Sequence, residues 1–227
     1  DTEPSSREAV MRGYVGITVA LLFMTLAGVR NATAQAPARF LVAVESGGDL
    51  VYWNLATGQK QDVMEDHPKQ VLVSGPFLVS VEASGDLVYW DMRTGRKRDV
   101  MEDDPRQLLV SGQFLVAVEE SGDLVYWDMT TGQKRDLAED DPKQARVSGP
   151  FLAAVEESGD LVFWDMRTGR KTDTLEDHPE RLLVTGSFLI VVEESGDLVY
   201  WEMERKHKVD TTEDRPLRVI VDKAKRP

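Results

Sequence analysis

A 37-residue unit is repeated five times in tandem from Phe40 onward, and this repeat limits the fold more than any other feature of the chain. The units begin near Phe40, Phe77, Phe114, Phe151 and Phe188, and the third differs from the second at only ten of 37 positions. A fixed period of about 20–50 residues is typical of repeat architectures, in which each unit buries its apolar surface against its neighbours. The sequence therefore predicts one repeat domain over residues 40–227.

Each unit contains four short apolar segments, which in the third unit are residues 114–119, 124–129, 133–137 and 144–147. Phe, Val, Tyr, Trp and Leu fill these segments, and Gly, Pro, Asp and Ser lie between them, as is typical of strands and turns. Neighbours such as Tyr126 and Trp127 point to opposite faces of a strand, so each sheet must be covered on both faces. Four antiparallel strands per 37-residue unit predict an all-β, five-bladed β-propeller.

The tryptophans recur at one position of the unit, where they have two interpretations, ligand stacking or packing between blades. We favour the structural interpretation, because both faces of each sheet need cover from a neighbour. The predicted structural residues are Trp53, Trp90, Trp127, Trp164 and Trp201.

The segment VSGPFLVSVEASGDLVYWDMRTGRK, residues 73–97, resembles a shortened WD40 unit in its Trp-Asp pair and the Thr-Gly that follows. It is also similar to the quinoprotein-like propeller repeat, which shares the Gly-Asp-Leu-Val and Thr-Gly signals. Both resemblances imply a propeller blade. The WD40 Gly-His pair is Asp-His in the first and fourth units, at His67 and His178, and lacks histidine in the others. Nothing marks a quinone pocket, so no cofactor is expected.

The ends of the repeat domain indicate how the blades are arranged. The chain enters at the second strand of a blade, at Phe40, and an additional first-strand segment, residues 217–221, follows the fifth unit. This C-terminal strand is expected to complete the first blade and close the ring, which removes open sheet edges and predicts a monomer. The alternative is an open array that completes its ring by oligomerising.

The net charge of the chain limits the classes of partner that it can bind. The chain has a formal net charge of −13 at pH 7 and contains no cysteine. Residues 1–39 contribute four basic and three acidic residues, so the repeats carry 23 basic against 37 acidic residues, a net −14. This balance argues against nucleic-acid binding, which needs clustered Lys and Arg. An acidic surface instead favours solubility and basic partners.

Alternate loops of an antiparallel blade lie on the same side of the propeller, and the sequence predicts opposite charges for its two sides. The candidate binding positions on the acidic side are Glu82, Asp86, Glu119, Asp123, Glu156, Asp160, Glu193 and Asp197. The opposite side is predicted to gather Lys60, Arg93, Arg96, Lys97, Lys134, Arg167, Arg170, Lys171, Arg205, Lys206 and Lys208.

These features predict a non-enzymatic scaffold that binds a basic protein or peptide through repeated charged loops. A carbohydrate- or small-ligand-binding propeller with equivalent inter-blade sites is the alternative, and it needs exposed aromatic side chains. No catalytic residues and no metal ligands are predicted, since no nucleophile, phosphate-binding or metal motif occurs. His67 and His178 are interpreted as turn residues before proline.

Residues 1–39 are predicted to form a signal peptide or membrane anchor with a polar flank. Arg12 precedes an apolar run at residues 13–29, and small residues follow, with cleavage favoured after Ala34. The run is short for a membrane-spanning helix, which needs about 20 residues. The protein is therefore expected to be secreted or periplasmic, with membrane contact only through residues 13–29 if the signal is not cleaved.

Overall fold

The computed structural model describes residues 40–216 and 218–220, and within these ranges the side chains of residues 64–66, 101–103, 138–140, 175–177, 212 and 214 are not described. The predicted signal segment at residues 1–39 lies outside the described residues. The strands are β1 Phe40–Val44, β2 Asp49–Asn54, β3 Gln59–Asp66, β4 Gln70–Ser74, β5 Phe77–Val81, β6 Asp86–Asp91, β7 Arg96–Asp103, β8 Gln107–Ser111, β9 Phe114–Val118, β10 Asp123–Asp128, β11 Gln133–Asp140, β12 Gln144–Ser148, β13 Phe151–Val155, β14 Asp160–Asp165, β15 Arg170–Asp177, β16 Arg181–Thr185, β17 Phe188–Val192, β18 Asp197–Glu202 and β19 His207–Asp214.

The strands form five antiparallel sheets in chain order, and the predicted all-β architecture of five repeated blades is confirmed. Sheet 1 contains β1–β3, and sheets 2 to 5 contain β4–β7, β8–β11, β12–β15 and β16–β19. Within every sheet each strand pairs with the next along the chain, as tight turns between short strands require. The chain is thus a β-propeller repeat protein.

The third strand of each unit is longer than the sequence predicts. Strand β11 continues to Asp140, whereas the apolar pattern ends at Leu137. The extension follows a register shift between β10 and β11, where Val125 pairs with Asp136 but Asp123 pairs with Asp140. Such a bulge places extra residues on one strand and keeps the acidic end of β11 in the sheet. Residues 139 and 140, predicted to lie in a loop, therefore belong to the strand.

Successive sheets pack face to face through apolar side chains. The forward face of a sheet, which in sheet 2 includes Phe77 and Tyr89, packs against the rear face of the following sheet, which in sheet 3 includes Leu115 and Trp127. Equivalent clusters lie between sheets 1 and 2, 3 and 4, and 4 and 5. The two apolar faces of the repeat are therefore each used once at every internal interface.

The first strands of sheets 2 to 5 contact one another in order, β4 with β8, β8 with β12, and β12 with β16, and so form the inner side of the array. Sheet 1 has three strands among the described residues. Leu217 and residues 221–227 of the predicted closing segment lie outside the described residues, and residues 218–220 are not in a strand. Ring closure by the C-terminal strand therefore stays a prediction.

The described ranges hold no helix that is long and apolar enough to cross a membrane. The predicted anchor at residues 13–29 lies outside them.

Candidate interaction surfaces

Two types of chain reversal lie at opposite edges of every complete sheet. In sheet 3 the loop that contains Gly122 and the loop that contains Asp141 lie at the same edge, here called the loop edge. The Asp141 amide joins them by donating a hydrogen bond of 2.9 Å to the Gly122 carbonyl. At the other edge, here called the turn edge, the Met129 amide donates a hydrogen bond of 2.8 Å to the Gln113 carbonyl. The assignment of alternate loops to one edge is therefore observed.

At the loop edge a glycine lies in close contact with a residue whose backbone is in the left-handed conformation. Gly122 has φ +106°, and a Cβ atom at this position would lie 2.5 Å from the Asp141 carboxylate. Asp141 itself has φ +45° and precedes a proline. Short polar residues tolerate this conformation better than most, and aspartate and histidine occupy the equivalent positions of sheets 1 to 4. His67 and His178 adopt φ +54° and +49°, in agreement with their interpretation as turn residues.

Each Ser-Gly-Asp loop is held by the same hydrogen bonds. In sheet 3 the Glu119 amide donates to the Asp123 carbonyl at 2.9 Å, and the Ser121 hydroxyl donates to Asp123 Oδ2 at 2.9 Å. Equivalent serine–aspartate bonds of 2.9 Å occur in sheets 2, 4 and 5. The candidate aspartates at this position are exposed; they are Asp86, Asp123, Asp160 and Asp197.

The candidate glutamates are held by lysines of the same sheet. Lys134 Nζ donates to Glu119 Oε1 at 3.1 Å and lies 3.3 Å from Asp136 Oδ1. The matching lysine–glutamate distances in sheets 1, 2, 4 and 5 are 2.7, 3.0, 2.9 and 3.6 Å. Lys60, Lys97, Lys134, Lys171 and Lys208 were all predicted to define the basic side. Because they reach across their blades to the loop-edge glutamates, the two edges differ less in charge than loop sorting predicts.

The start and the end of each sheet are also linked at the loop edge. Lys69 Nζ, just before β4, lies 2.5 Å from Asp104 Oδ1, just after β7, and Arg106 forms the equivalent ion pair with Asp141 in sheet 3. In sheet 5, Arg181 of β16 donates to the carbonyl of Pro216, just after β19, at 3.4 Å. The carboxylates that remain most available at this edge are therefore those of the Ser-Gly-Asp loops.

Arginines stabilise the turn edge. Arg93 forms two hydrogen bonds to the Asp91 carboxylate, at 2.9 and 2.8 Å. The side-chain hydrogen bond from Arg93 lowers the pKa of Asp91 below its usual value. One step further along the array, Arg98 Nη1 donates to the Thr131 carbonyl of the next sheet at 3.1 Å and lies directly over Gly132. These contacts commit the arginines to structure within and between sheets.

The tryptophans lie between sheets. Trp90, Trp127 and Trp164 are 2–3% exposed and belong to the interfaces that precede sheets 2, 3 and 4. Trp201 packs at the next interface and is partly buried. Each of the three buried rings also has a lysine ammonium group 5.6–5.8 Å from its centroid. A buried indole has no free face for a sugar ring, so Trp90, Trp127 and Trp164 do not form a carbohydrate-stacking site.

Sequence reasoning did not identify two apolar end surfaces. The rear face of sheet 1 carries Leu41, Trp53 and Leu55, and we call it the rear end surface. The forward face of sheet 5 carries Leu183 and Phe188, among others, and we call it the forward end surface. Leu41 and Phe188 are 42% and 40% exposed, whereas their counterparts in the interior sheets are at most 4% exposed. The two-sided apolar pattern of the unit was the available signal, because any face that no neighbouring sheet covers leaves apolar side chains exposed.

The described side chains include no group of three or more histidine or acidic residues arranged to hold a metal ion. Burial raises the pKa of Tyr89 and Tyr126, and the Tyr126 hydroxyl donates to the Met166 carbonyl at 3.0 Å. These perturbed groups lie in the inter-sheet cores, where they support packing.

No protein-family model and no curated protein matches the sequence. Among solved structures, the chain is similar to the computationally designed Ika8 protein, with 18% identity, a TM-score of 0.47, and coverage of 76% of this chain and 58% of that one. It is similar to yeast RCC1 (Prp20) bound to Kap60, with 11% identity, a TM-score of 0.48, and coverage of 72% and 54%. It is also similar to BamB from Moraxella catarrhalis, with 18% identity, a TM-score of 0.41, and coverage of 78% of this chain and 62% of that one.

Each of these three proteins is therefore matched over less than two thirds of its own length. The propeller assignment rests on the sheets and interfaces of the chain itself.

Proposed function

We propose that the protein is an exported, non-enzymatic scaffold that binds a basic protein or peptide along its loop edge. The observation that carries this proposal is the repetition of one exposed carboxylate in one fixed loop on four consecutive sheets. These carboxylates belong to Asp86, Asp123, Asp160 and Asp197.

The Ser-Gly-Asp loops are rigid, so the repeated carboxylates are held in fixed positions for binding. Each loop is closed by a backbone hydrogen bond of 2.8–2.9 Å between its glutamate amide and its aspartate carbonyl, and a serine hydroxyl orients the carboxylate. A partner with several basic residues contacts more than one loop at once. Each exposed ion pair contributes only about 0.2–1 kcal/mol, so recognition depends on several contacts made together.

The overall charge supports a basic partner. The repeats carry 37 acidic against 23 basic residues, and the lysines closest to the loop-edge glutamates already form ion pairs. The remaining negative field attracts cationic partners and repels nucleic acid. Export is proposed from the apolar run at residues 13–29 and the small residues that follow it.

The proposal is tested with a synthetic lysine-rich peptide whose binding to the full chain is followed by fluorescence anisotropy at low and high salt. Replacing the four loop aspartates by asparagine preserves an acceptor for each serine hydroxyl and removes four charges. We expect this variant to bind more weakly by about 1–4 kcal/mol in total, from four exposed pairs. We also expect the binding of the unmodified chain to weaken in high salt.

A matched control removes the same number of charges elsewhere. Asp62, Asp99, Asp136 and Asp173 lie on the third strands with side chains that are 68–74% exposed. Their replacement by asparagine is expected to weaken binding much less. An equal loss in both variants would show that net charge alone attracts the peptide, and the loop edge would then not be the binding surface.

A further inference from the structure

Most of the exposed large hydrophobic side chains among the described residues lie at the two ends of the array of sheets. Among the described residues, the exposed large hydrophobic side chains are Leu41, Val44, Leu55, Val73, Leu183, Phe188 and Ile220. Leu41 and Leu55 lie on the rear face of sheet 1 and Leu183 and Phe188 on the forward face of sheet 5, whereas Val44 and Val73 lie on the two faces that meet between sheets 1 and 2. Scattered exposed apolar residues are normal on a protein surface, but a concentration on two faces marks an interaction site.

The rear end surface is a rear face that no sheet of the described residues covers. Leu41 pairs across the strands with Trp53, and Leu55 follows on the same side. At the equivalent positions of sheet 3, Leu115, Trp127 and Met129 are 0%, 3% and 2% exposed, because the forward face of sheet 2 covers them. On sheet 1, Leu41 and Leu55 are 42% and 55% exposed, although Val51 on the same face is buried at 0%.

The forward end surface is the complementary face. Phe188 lies edge-on to Tyr200 with 6.3 Å between ring centroids, as Phe114 does to Tyr126 in sheet 3 at the same distance. Phe114 is 4% exposed because sheet 4 covers it, whereas Phe188 is 40% exposed. The two ends of the chain therefore present the two halves of the interface that the interior repeats four times.

The residues after sheet 5 add to the similarity between the forward end surface and an internal interface. Arg218 and Val219 line a recess together with Leu183 and Ile190 of the forward end surface. At each internal interface the segment that follows a sheet becomes the inner strand of the next sheet. Sheet 1 has no such strand among the described residues. Residues 218 and 219 thus lie beside the inner strand β16, where the next blade would begin.

We propose that the forward end surface of one copy binds the rear end surface of a second copy, which continues the blade packing from chain to chain. The contact is heterologous, since the two surfaces differ, so copies assemble into a ring if their rotation closes and into a filament if it does not. This proposal does not depend on the acidic loop edge. It differs from the monomer that ring closure within one chain predicts.

Complementation of two single variants tests the contact. Leu41→Glu places a charge on the rear end surface, and Phe188→Glu places one on the forward end surface. Both side chains are already about two-fifths exposed, so each variant is expected to fold, which circular dichroism and thermal melting check. Sedimentation velocity of the full chain is expected to show species larger than 25.4 kDa that increase with concentration. Each variant alone is expected to sediment as a monomer.

Mixing the two variants distinguishes the possibilities. The Leu41→Glu copy keeps an intact forward end surface, and the Phe188→Glu copy keeps an intact rear end surface, so the mixture is expected to form dimers and nothing larger. Thr130→Glu adds one charge at an exposed turn of sheet 3 and is expected to assemble like the unmodified chain. A monomeric unmodified chain at every concentration, or a mixture that stays monomeric, would overturn the proposal in favour of closure within one chain.

Discussion

Replacing one tryptophan in the interior and one at the end of the array measures how much each interface contributes. Trp127 is 3% exposed and packs between sheets 2 and 3, whereas Trp53 occupies the same position on the uncovered rear face of sheet 1 and is partly exposed. Both rings have a lysine ammonium group at nearly the same distance, 5.6 Å and 5.8 Å from the centroid. The contribution of the lysine contact is therefore similar in both substitutions, and the difference between their losses of unfolding free energy reflects the difference in burial of the two rings.

We expect Trp127→Ala to lower the free energy of unfolding by about 3–5 kcal/mol, as is typical when a large aromatic side chain is removed from a packed interface. Trp53→Ala is expected to cost about half as much, since one side of the ring has no neighbouring sheet to leave a cavity. Both are made in the Phe188→Glu background, so that association between copies does not cover Trp53.

The assay is equilibrium urea unfolding followed by far-ultraviolet circular dichroism, with coincident transitions required before free energies are compared. Trp164→Ala serves as a second interior substitution and should match Trp127→Ala, because Trp164 is 2% exposed. Equal losses from Trp127→Ala and Trp53→Ala would refute the reasoning, since they would mean that the rear face of sheet 1 is covered as well as an interior face.

Three further outcomes are expected. Gly132→Ala should lower the free energy of unfolding by about 0.5–1.5 kcal/mol more than Gly58→Ala in urea unfolding. Both glycines have φ above +70°, but only at Gly132 would a Cβ displace the Arg98 side chain from its hydrogen bond to the Thr131 carbonyl, while nothing lies within 4 Å at Gly58. Equal losses would show that this hydrogen bond contributes nothing to stability. The hydrogen bond from Arg93 lowers the pKa of Asp91, so its stabilisation is complete above the unfolded-state pKa and is lost as pH falls through the lower folded-state pKa. Asp91→Asn should therefore make the free energy of unfolding fall less steeply as the pH is lowered below about 4, and an unchanged slope would contradict this. Expression in a secreting host should give a mature chain whose mass corresponds to cleavage after Ala34, and an intact chain in the membrane fraction would instead support the anchor.

The fold can be predicted from the repeat because each unit forms a sheet with apolar side chains on both faces. Alternation around Tyr126 and Trp127 requires apolar cover on both faces of a sheet, and only neighbouring sheets supply it. The predicted and observed strand limits of the third unit agree within one residue except at the end of β11. The exception arises because a bulge extends the pairing into an acidic segment that lacks the apolar pattern.

The candidate surface was harder to predict, for reasons of side-chain length. Sorting loops by topology places Glu119 at one edge, and it predicts a basic opposite edge that includes Lys134, but it does not account for the reach of these two side chains. The lysine extends along its blade and brings its ammonium group within 3.1 Å of the glutamate. The charge pattern of the surface therefore depends on rotamers that a sequence pattern does not contain, whereas the shorter aspartates stay where the backbone places them.

Because every internal interface joins the same forward face to the same rear face, the number of blades is not fixed by any single interface. A deletion of residues 114–150 would join β8 to β13–β15 and bring the resulting sheet directly against sheet 2, with an interface of the kind already present. The neighbouring units are nearly identical in sequence, so recombination between their coding segments would add or remove whole blades in frame. Chain length can thus vary in steps of 37 residues without the need to evolve a new core.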